Sequence, residues 1–143
     1  MSKKAIQIQF VESVENDVAE MQERIRERAH QIFVERGSRD GSDLEDWLSA
    51  ENELIWKPAV SVSEHEDEFV ADLDTWELTA DQLEIKAAGN VVLLRTKAAE
   101  TGRRLFCQVE FPAEIASGKL RADYRQGSLN ITLRRTAIKK MTA

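Results

Sequence analysis

Residues 120–133 read Leu120-Arg121-Ala122-Asp123-Tyr124-Arg125-Gln126-Gly127-Ser128-Leu129-Asn130-Ile131-Thr132-Leu133. Apolar side chains fall at Leu120, Ala122 and Tyr124, then at Leu129, Ile131 and Leu133. A spacing of two sends such side chains to one face of an extended strand and the intervening polar ones to the other. Gly127 hinges the two runs into a hairpin. The sequence therefore predicts a half-exposed antiparallel sheet, and function is sought on it.

The same period recurs upstream, beginning at Pro58. Val60 to Glu64, Phe69 to Leu73 and Leu83 to Ala87 alternate, Gly89-Asn90 turns the chain into Val91 to Arg95, and Leu105 to Phe111 is stopped by Pro112. Seven short strands without a long helix between them predict an antiparallel β-sandwich, immunoglobulin-like in type. Before Pro58 the period is helical. Val14, Val18, Met21, Ile25, Ala29, Ile32 and Phe33 recur at three and four, and Gly37 ends that helix as a left-handed cap. Ser42 with Glu45, or Asp43 with Asp46, opens a second helix carrying Leu44, Trp47, Leu48, Leu54 and Ile55, which Pro58 terminates.

The fold class is thus α+β, a helical hairpin followed by the sandwich. Expected boundaries are an N-terminal extension at 1–13, the hairpin at 14–57, the sandwich at 58–136 and a tail at 137–143. A two-helix unit cannot bury Ile25, Ile32, Phe33, Trp47 and Leu48 alone, so this face needs the sheet, a second copy or a partner, and packing or assembly is its expected task.

The 143 residues carry a net charge of −6, which argues against nucleic acid as the main partner. The layout is dipolar. Every charge between Lys57 and Lys86 is acidic, whereas Asp123 is the lone acid from Lys119 onward, a pattern that suits solvated faces and also head-to-tail contacts between copies. No apolar run is long enough to cross a bilayer, and the glutamines after Met1-Ser2-Lys3-Lys4 interrupt any signal-peptide core. With one cysteine, Cys107, no internal disulfide forms, so a cytoplasmic location is expected.

Laid along the chain, the entry proline, the acidic run before Phe69, the Leu83 and Ile85 strand, the Gly89-Asn90 turn, Phe111-Pro112 and the closing A-x-Y-x-x-G-x-L-x-I-x-L resemble, in order, the α-crystallin domain of small heat shock proteins. The resemblance covers residues 58 to 136. It implies an α-crystallin-type sandwich that binds unfolded or partly folded client proteins without nucleotide and self-associates into dimers or larger assemblies. It also implies a groove between Leu83 and Ile85 on one side and Leu120, Ala122 and Tyr124 on the other, where an Ile-x-Ile segment docks. Residues 25–54 separately resemble a short bacterial helical family of uncharacterised role.

The chain departs from the α-crystallin pattern in several places. Thr75-Trp76-Glu77 stands where the family has Leu-Pro-Gly. The Arg95 to Arg104 connection is too short for the loop that bacterial members exchange between subunits, which argues against strand-swapped dimers. Cys107 replaces an arginine, fitting a buried face with Leu105 and Val109. The tail after Thr136 lacks Ile-x-Ile, but Ile6-Gln7-Ile8 supplies one at the other end, with both branched side chains on one side of a strand. Docking of Ile6 and Ile8 into the groove, in cis or in trans, is one expectation. A simple N-terminal strand or disordered tail is the plainer one.

Catalytic and metal chemistry finds little support. His30 and His65 lie in different modules without partners at metal-ligand spacing. Asp40-Gly41-Ser42-Asp43 is better explained by helix capping than by calcium, and Cys107 reads as a small core residue rather than a nucleophile. The expectation is a non-enzymatic, cofactor-free holdase; the alternative is an interaction module of co-chaperone type that binds folded partners.

Overall fold

The computed structural model describes residues 4–37, 43–75, 78–97, 103–116, 118–125 and 127–134. Two short strands come first, β1 (Lys4–Ile6) and β2 (Ile8–Phe10), followed by helices α1 (Glu15–Glu35) and α2 (Asp43–Leu54). The Ser13 hydroxyl accepts the Glu15 N–H at 3.0 Å and so satisfies one of the free donors at the start of α1. Gly37, at φ +81°, leads the chain out of α1 through a left-handed conformation that a side chain would resist. The capping expected from Ser42 and the turn before it lie outside the described residues.

The remaining strands are β3 (Ile55–Trp56), β4 (Val60–Glu64), β5 (Glu68–Asp74), β6 (Leu83–Ala88), β7 (Val91–Thr96), β8 (Arg104–Glu110), β9 (Leu120–Arg125) and β10 (Ser128–Arg134). All seven expected strands are present. Ile55 departs from expectation, because it leaves the helix to begin β3 beside β8, where the Arg103 guanidinium donates to its carbonyl at 3.3 Å. Gly127, at φ +82°, makes the β9–β10 turn.

One sheet has the order β1-β9-β10-β5-β4 and the other β2-β6-β7-β8-β3. They are antiparallel except at two edges, where β2 runs parallel to β6 and β3 parallel to β8. The sandwich is therefore mixed at its margins rather than wholly antiparallel. Between the sheets lie Leu73, Ile85, Leu94, Leu105, Phe111, Leu129 and Ile131, all essentially inaccessible. Burying one such side chain is worth about 1.5–3 kcal/mol, so this layer dominates the stability of the fold.

A second apolar cluster lies on the outer face of the β6–β8 sheet. Leu93 and Phe106 point away from the inter-sheet core and meet Met21, Ile25, Ala50 and Ile55. The hairpin thus covers its own sheet, which answers the question of what shields its apolar stripe. The two helices are tied together by the Arg36 guanidinium, 2.5 Å from the nearly buried Asp46 carboxylate. Burial of that carboxylate is tolerable only because it is paired.

Candidate functional site

On one side of the sandwich, β6 and β9 are the last full-length strands of their sheets. Between them runs an apolar groove. Leu83 and Ile85 line it from β6, while Ala122 and Tyr124 line it from β9. The Tyr124 hydroxyl donates to the Leu78 carbonyl, which fixes the ring across one end. Leu120 lies at the other end of β9, buried opposite Leu133.

This groove is filled by the chain itself. Residues 4–6 pair antiparallel with β9, with Lys4 opposite Tyr124 and Ile6 opposite Ala122. At Gln7 the segment crosses to the other sheet, where Ile8 lies beside Ile85 and Phe10 beside Ala87 in parallel register. The Val11 N–H then donates to the Ala87 carbonyl at 2.9 Å. Ile6 and Ile8, both half-buried, pack against the inter-sheet core. Residues 4–10 therefore form a strap that bonds to both sheets and closes this side. An open client groove was expected; Leu83, Ile85 and Ala122 are instead buried in cis, where the strap pairs with 85–87 of β6 and 122–124 of β9.

The strap passes directly into α1, and a partly buried charge cluster anchors the junction. Asp17 accepts Lys86 Nζ at 3.2 Å and Arg95 Nη1 at 3.0 Å, and Arg95 also pairs with Glu84. Burial alone lowers the Arg95 pKa, but Glu84 and then Asp17 outweigh it and hold the guanidinium above its ordinary value. A cleft of about 320 Å³ remains beside the strap, lined by Gln7, Gln9, Asp81 and Glu84 among others.

The expected helical assembly face is divided. Ile25 is buried on the chain's own sheet, and Ile32 and Trp47 pack half-buried against the same cluster. Ile25 is therefore not available to another molecule, since Leu93 and Phe106 already cover it. Phe33 is half-buried, with His30 stacked 6.3 Å from it and the Arg36 guanidinium 5.7 Å from its centroid. Leu48 is 50% exposed and its i−4 neighbour Leu44 is 64% exposed, so these two remain on the surface.

Leu93 and Phe106 were not singled out from the sequence, although a signal for them exists. Val91 to Leu94 and Leu105 to Cys107 are unbroken apolar runs, and a strand covered on both faces has no reason to alternate. Cys107 itself is buried, which raises the thiol pKa, while Lys57 pulls it slightly the other way. It borders a cleft of about 340 Å³ between hairpin and sheet. Among the described residues, no group of three His, Cys, Asp or Glu is placed to hold a metal ion. No helix among them is long and apolar enough to cross a membrane.

Residues 20–54 match the family described as a protein of unknown function, DUF2934. No curated protein matches the chain. Solved structures similar to the sandwich include heat shock protein 16.0 from Schizosaccharomyces pombe, at 14% identity and a TM-score of 0.50, covering 57% of this chain and 88% of that one. A small heat-shock protein from Xylella fastidiosa gives the same identity, score and coverage. The chain thus joins a DUF2934 helical region to a sandwich with the fold of small heat shock protein α-crystallin domains.

Proposed function

We propose that this chain is an ATP-independent, non-enzymatic holdase of the small heat shock protein kind, working in the cytoplasm on unfolding proteins and self-associating as a dimer or larger assembly. Residues 58–136 form the client-binding unit, the hairpin at 14–57 braces it, and 1–13 carry the strap. Neither nucleic acid nor membrane is a partner, and no cofactor is needed. The client groove is the one between Leu83 and Ile85 and Leu120, Ala122 and Tyr124, with Ile6 and Ile8 as its resident docking segment.

One observation carries this reading. Residues 4–10 lie in the groove as an extended segment that donates main-chain bonds to the edges and places Ile6 and Ile8 against the core. That is the geometry by which a strand from another protein adds to a sheet edge. The strap is short and its isoleucines are only half-buried, so releasing them costs about 2–3 kcal/mol at about 25 cal/mol per Å² of apolar surface. A client exposing several such segments outweighs that. An apolar segment of an unfolding protein therefore replaces the strap rather than entering an empty site.

Suppression of heat aggregation of a thermolabile test protein, compared between the natural chain and Ile6→Ala/Ile8→Ala, tests the reading. The weakened strap is expected to lower the chaperone ratio needed for suppression. No suppression by either protein would end the holdase reading. It would favour the co-chaperone alternative, for which the sealed groove and the covered outer face of the β6–β8 sheet speak, since both suit a surface that recognises folded partners.

A further inference from the structure

The shortness of β3 leaves a gap beside β8. It stops after pairing Ile55 with Arg104 and Trp56 with Leu105, and Pro58 lies just beyond it, while β8 runs on to Glu110. A cleft of about 340 Å³ opens at this step, between the hairpin and Phe106, Cys107 and Gln108. It has the volume of a small-molecule site and lies where such sites favour, at the seam between two packed units.

The lining sorts by depth. Met21 and Ile25 of α1, Ile55 of β3 and Phe106 of β8 are buried in it, and the half-buried Trp47 of α2 adds an aromatic wall. Of the polar members, Gln22, Lys57 and Gln108 are exposed and Glu51 is half-buried. Polar groups therefore ring an apolar interior, which suits a ligand with an apolar body and a polar head.

The charges of this rim balance. Lys57 Nζ lies 3.6 Å from the Glu51 carboxylate, at the long end of ion-pair contact, and the Lys57 side chain is 63% exposed. An exposed pair of this kind contributes little, so exchanging it for other partners costs little. A lone carboxylic acid seated here would gain Lys57 and press on Glu51, and a lone amine would do the reverse. A molecule that carries both charges on one carbon satisfies both.

We propose that this cleft binds a free α-amino acid with an apolar side chain. Its ammonium pairs with Glu51 and its carboxylate with Lys57, while the side chain enters between Met21, Trp47 and Phe106 and the amides of Gln22 and Gln108 serve the remaining hydrogen bonds. Because the walls come from both hairpin and sandwich, the site exists only while the two are docked. The ligand accordingly ties the helices to the sheet. This inference is independent of client holding and of self-association.

Titration of the full chain with L-leucine and L-phenylalanine tests it, read by the alkylation rate of Cys107, the lone thiol, which lines the cleft. Occupancy is expected to slow alkylation with a midpoint of ~1 mM. Glycine has both charges and no apolar body, N-acetyl-leucine lacks the ammonium and leucinamide lacks the carboxylate. Each should bind at least ~10-fold more weakly than L-leucine.

Lys57→Met and Glu51→Gln alter the rim and leave the buried lining in place. Each is expected to weaken L-leucine at least ~10-fold, but Lys57→Met should tighten leucinamide and Glu51→Gln should tighten N-acetyl-leucine, an inversion that a folding defect does not produce. No slowing by either amino acid up to ~10 mM overturns the proposal. So does binding indifferent to both substitutions. If leucinamide or N-acetyl-leucine matches L-leucine, the cleft takes a chain end instead, and the assignment to a free amino acid fails.

Discussion

The two sides of the sandwich are finished in different ways. On the strap side, residues 4–10 pair with residues 122–124 of β9 and 85–87 of β6, the middle of each full-length strand. On the β4 side, a five-residue strand ends its sheet with Val60 and Val62 exposed. Both sides present the same chemical problem, a row of main-chain donors and acceptors beside apolar side chains. One is closed by the chain's own first strands; the other ends on two exposed valines. A sheet edge is therefore better judged by what the rest of the chain does to it than by its own residues. Leu83 and Ile85 read as an open groove in isolation and are covered in the fold.

Four measurements break or sharpen this contrast. The largest effect is expected from Ile6→Ala/Ile8→Ala, which removes about 2–3 kcal/mol of strap docking, less than full core truncations because the sites are half-buried. Amide exchange along 85–87 and 122–124 should quicken ~30- to 160-fold at that free energy, with no change at β4. Unchanged exchange would mean that the strap does not hold the seam.

Asp17→Asn comes next. It strips Lys86 of its partner and leaves Arg95 with Glu84, so urea unfolding should report a loss of about 1–2 kcal/mol. A variant as stable as the natural chain would show that the charge cluster does not anchor the strap to α1.

The third measurement concerns Cys107, beneath Lys57 at the entrance to β4. Burial holds its proton more tightly in the folded chain than in the unfolded one. The resulting stability is fully present below the ordinary thiol pKa and is lost as pH rises through the raised value. Alkylation of the native protein at pH 8 should accordingly be much slower than after unfolding. Equal rates would show that this end of the sandwich opens freely.

The smallest effect is expected from Lys4→Ala. Lys4 lies 3.2 Å from Asp81, but both side chains are largely exposed, so Tm should barely move, within about 0.5 kcal/mol. A clear drop would give the strap an electrostatic clasp that its solvent exposure argues against.

Five of the main strands and both helices were legible because each buries one face against a continuous layer, which writes a period of two or of about three and a half into the residues; β7 and β8, covered on both faces, were legible as short apolar runs bounded by turn residues. Gly37 and Gly127 were legible for a local reason, the backbone conformation they supply. What escaped was long-range. Ile6 to Phe10 alternates without a break, and nothing in its own residues says that Gln7 changes sheets, since that depends on how far apart β9 and β6 stand.

Ile55 and Trp56 form a strand only because β8 lies beside them, too short a pairing to leave a pattern. The docking of α1 on Leu93 and Phe106 was written in the unbroken apolar runs, but a run of four residues also fits an ordinary buried strand. At the candidate site the groove residues and the Ile-x-Ile pair were readable. That the second fills the first in the same molecule depends on tertiary geometry.

The strap also has a consequence in time. Its residues leave the ribosome before either of their neighbours in space, β6 follows much later, and β9 later still. A half-made chain can thus lay Ile8 beside Ile85 while Ile6 still waits for Ala122. Sealing of that flank belongs to the end of synthesis, and every nascent copy passes through a stage in which its own sticky margin is bare.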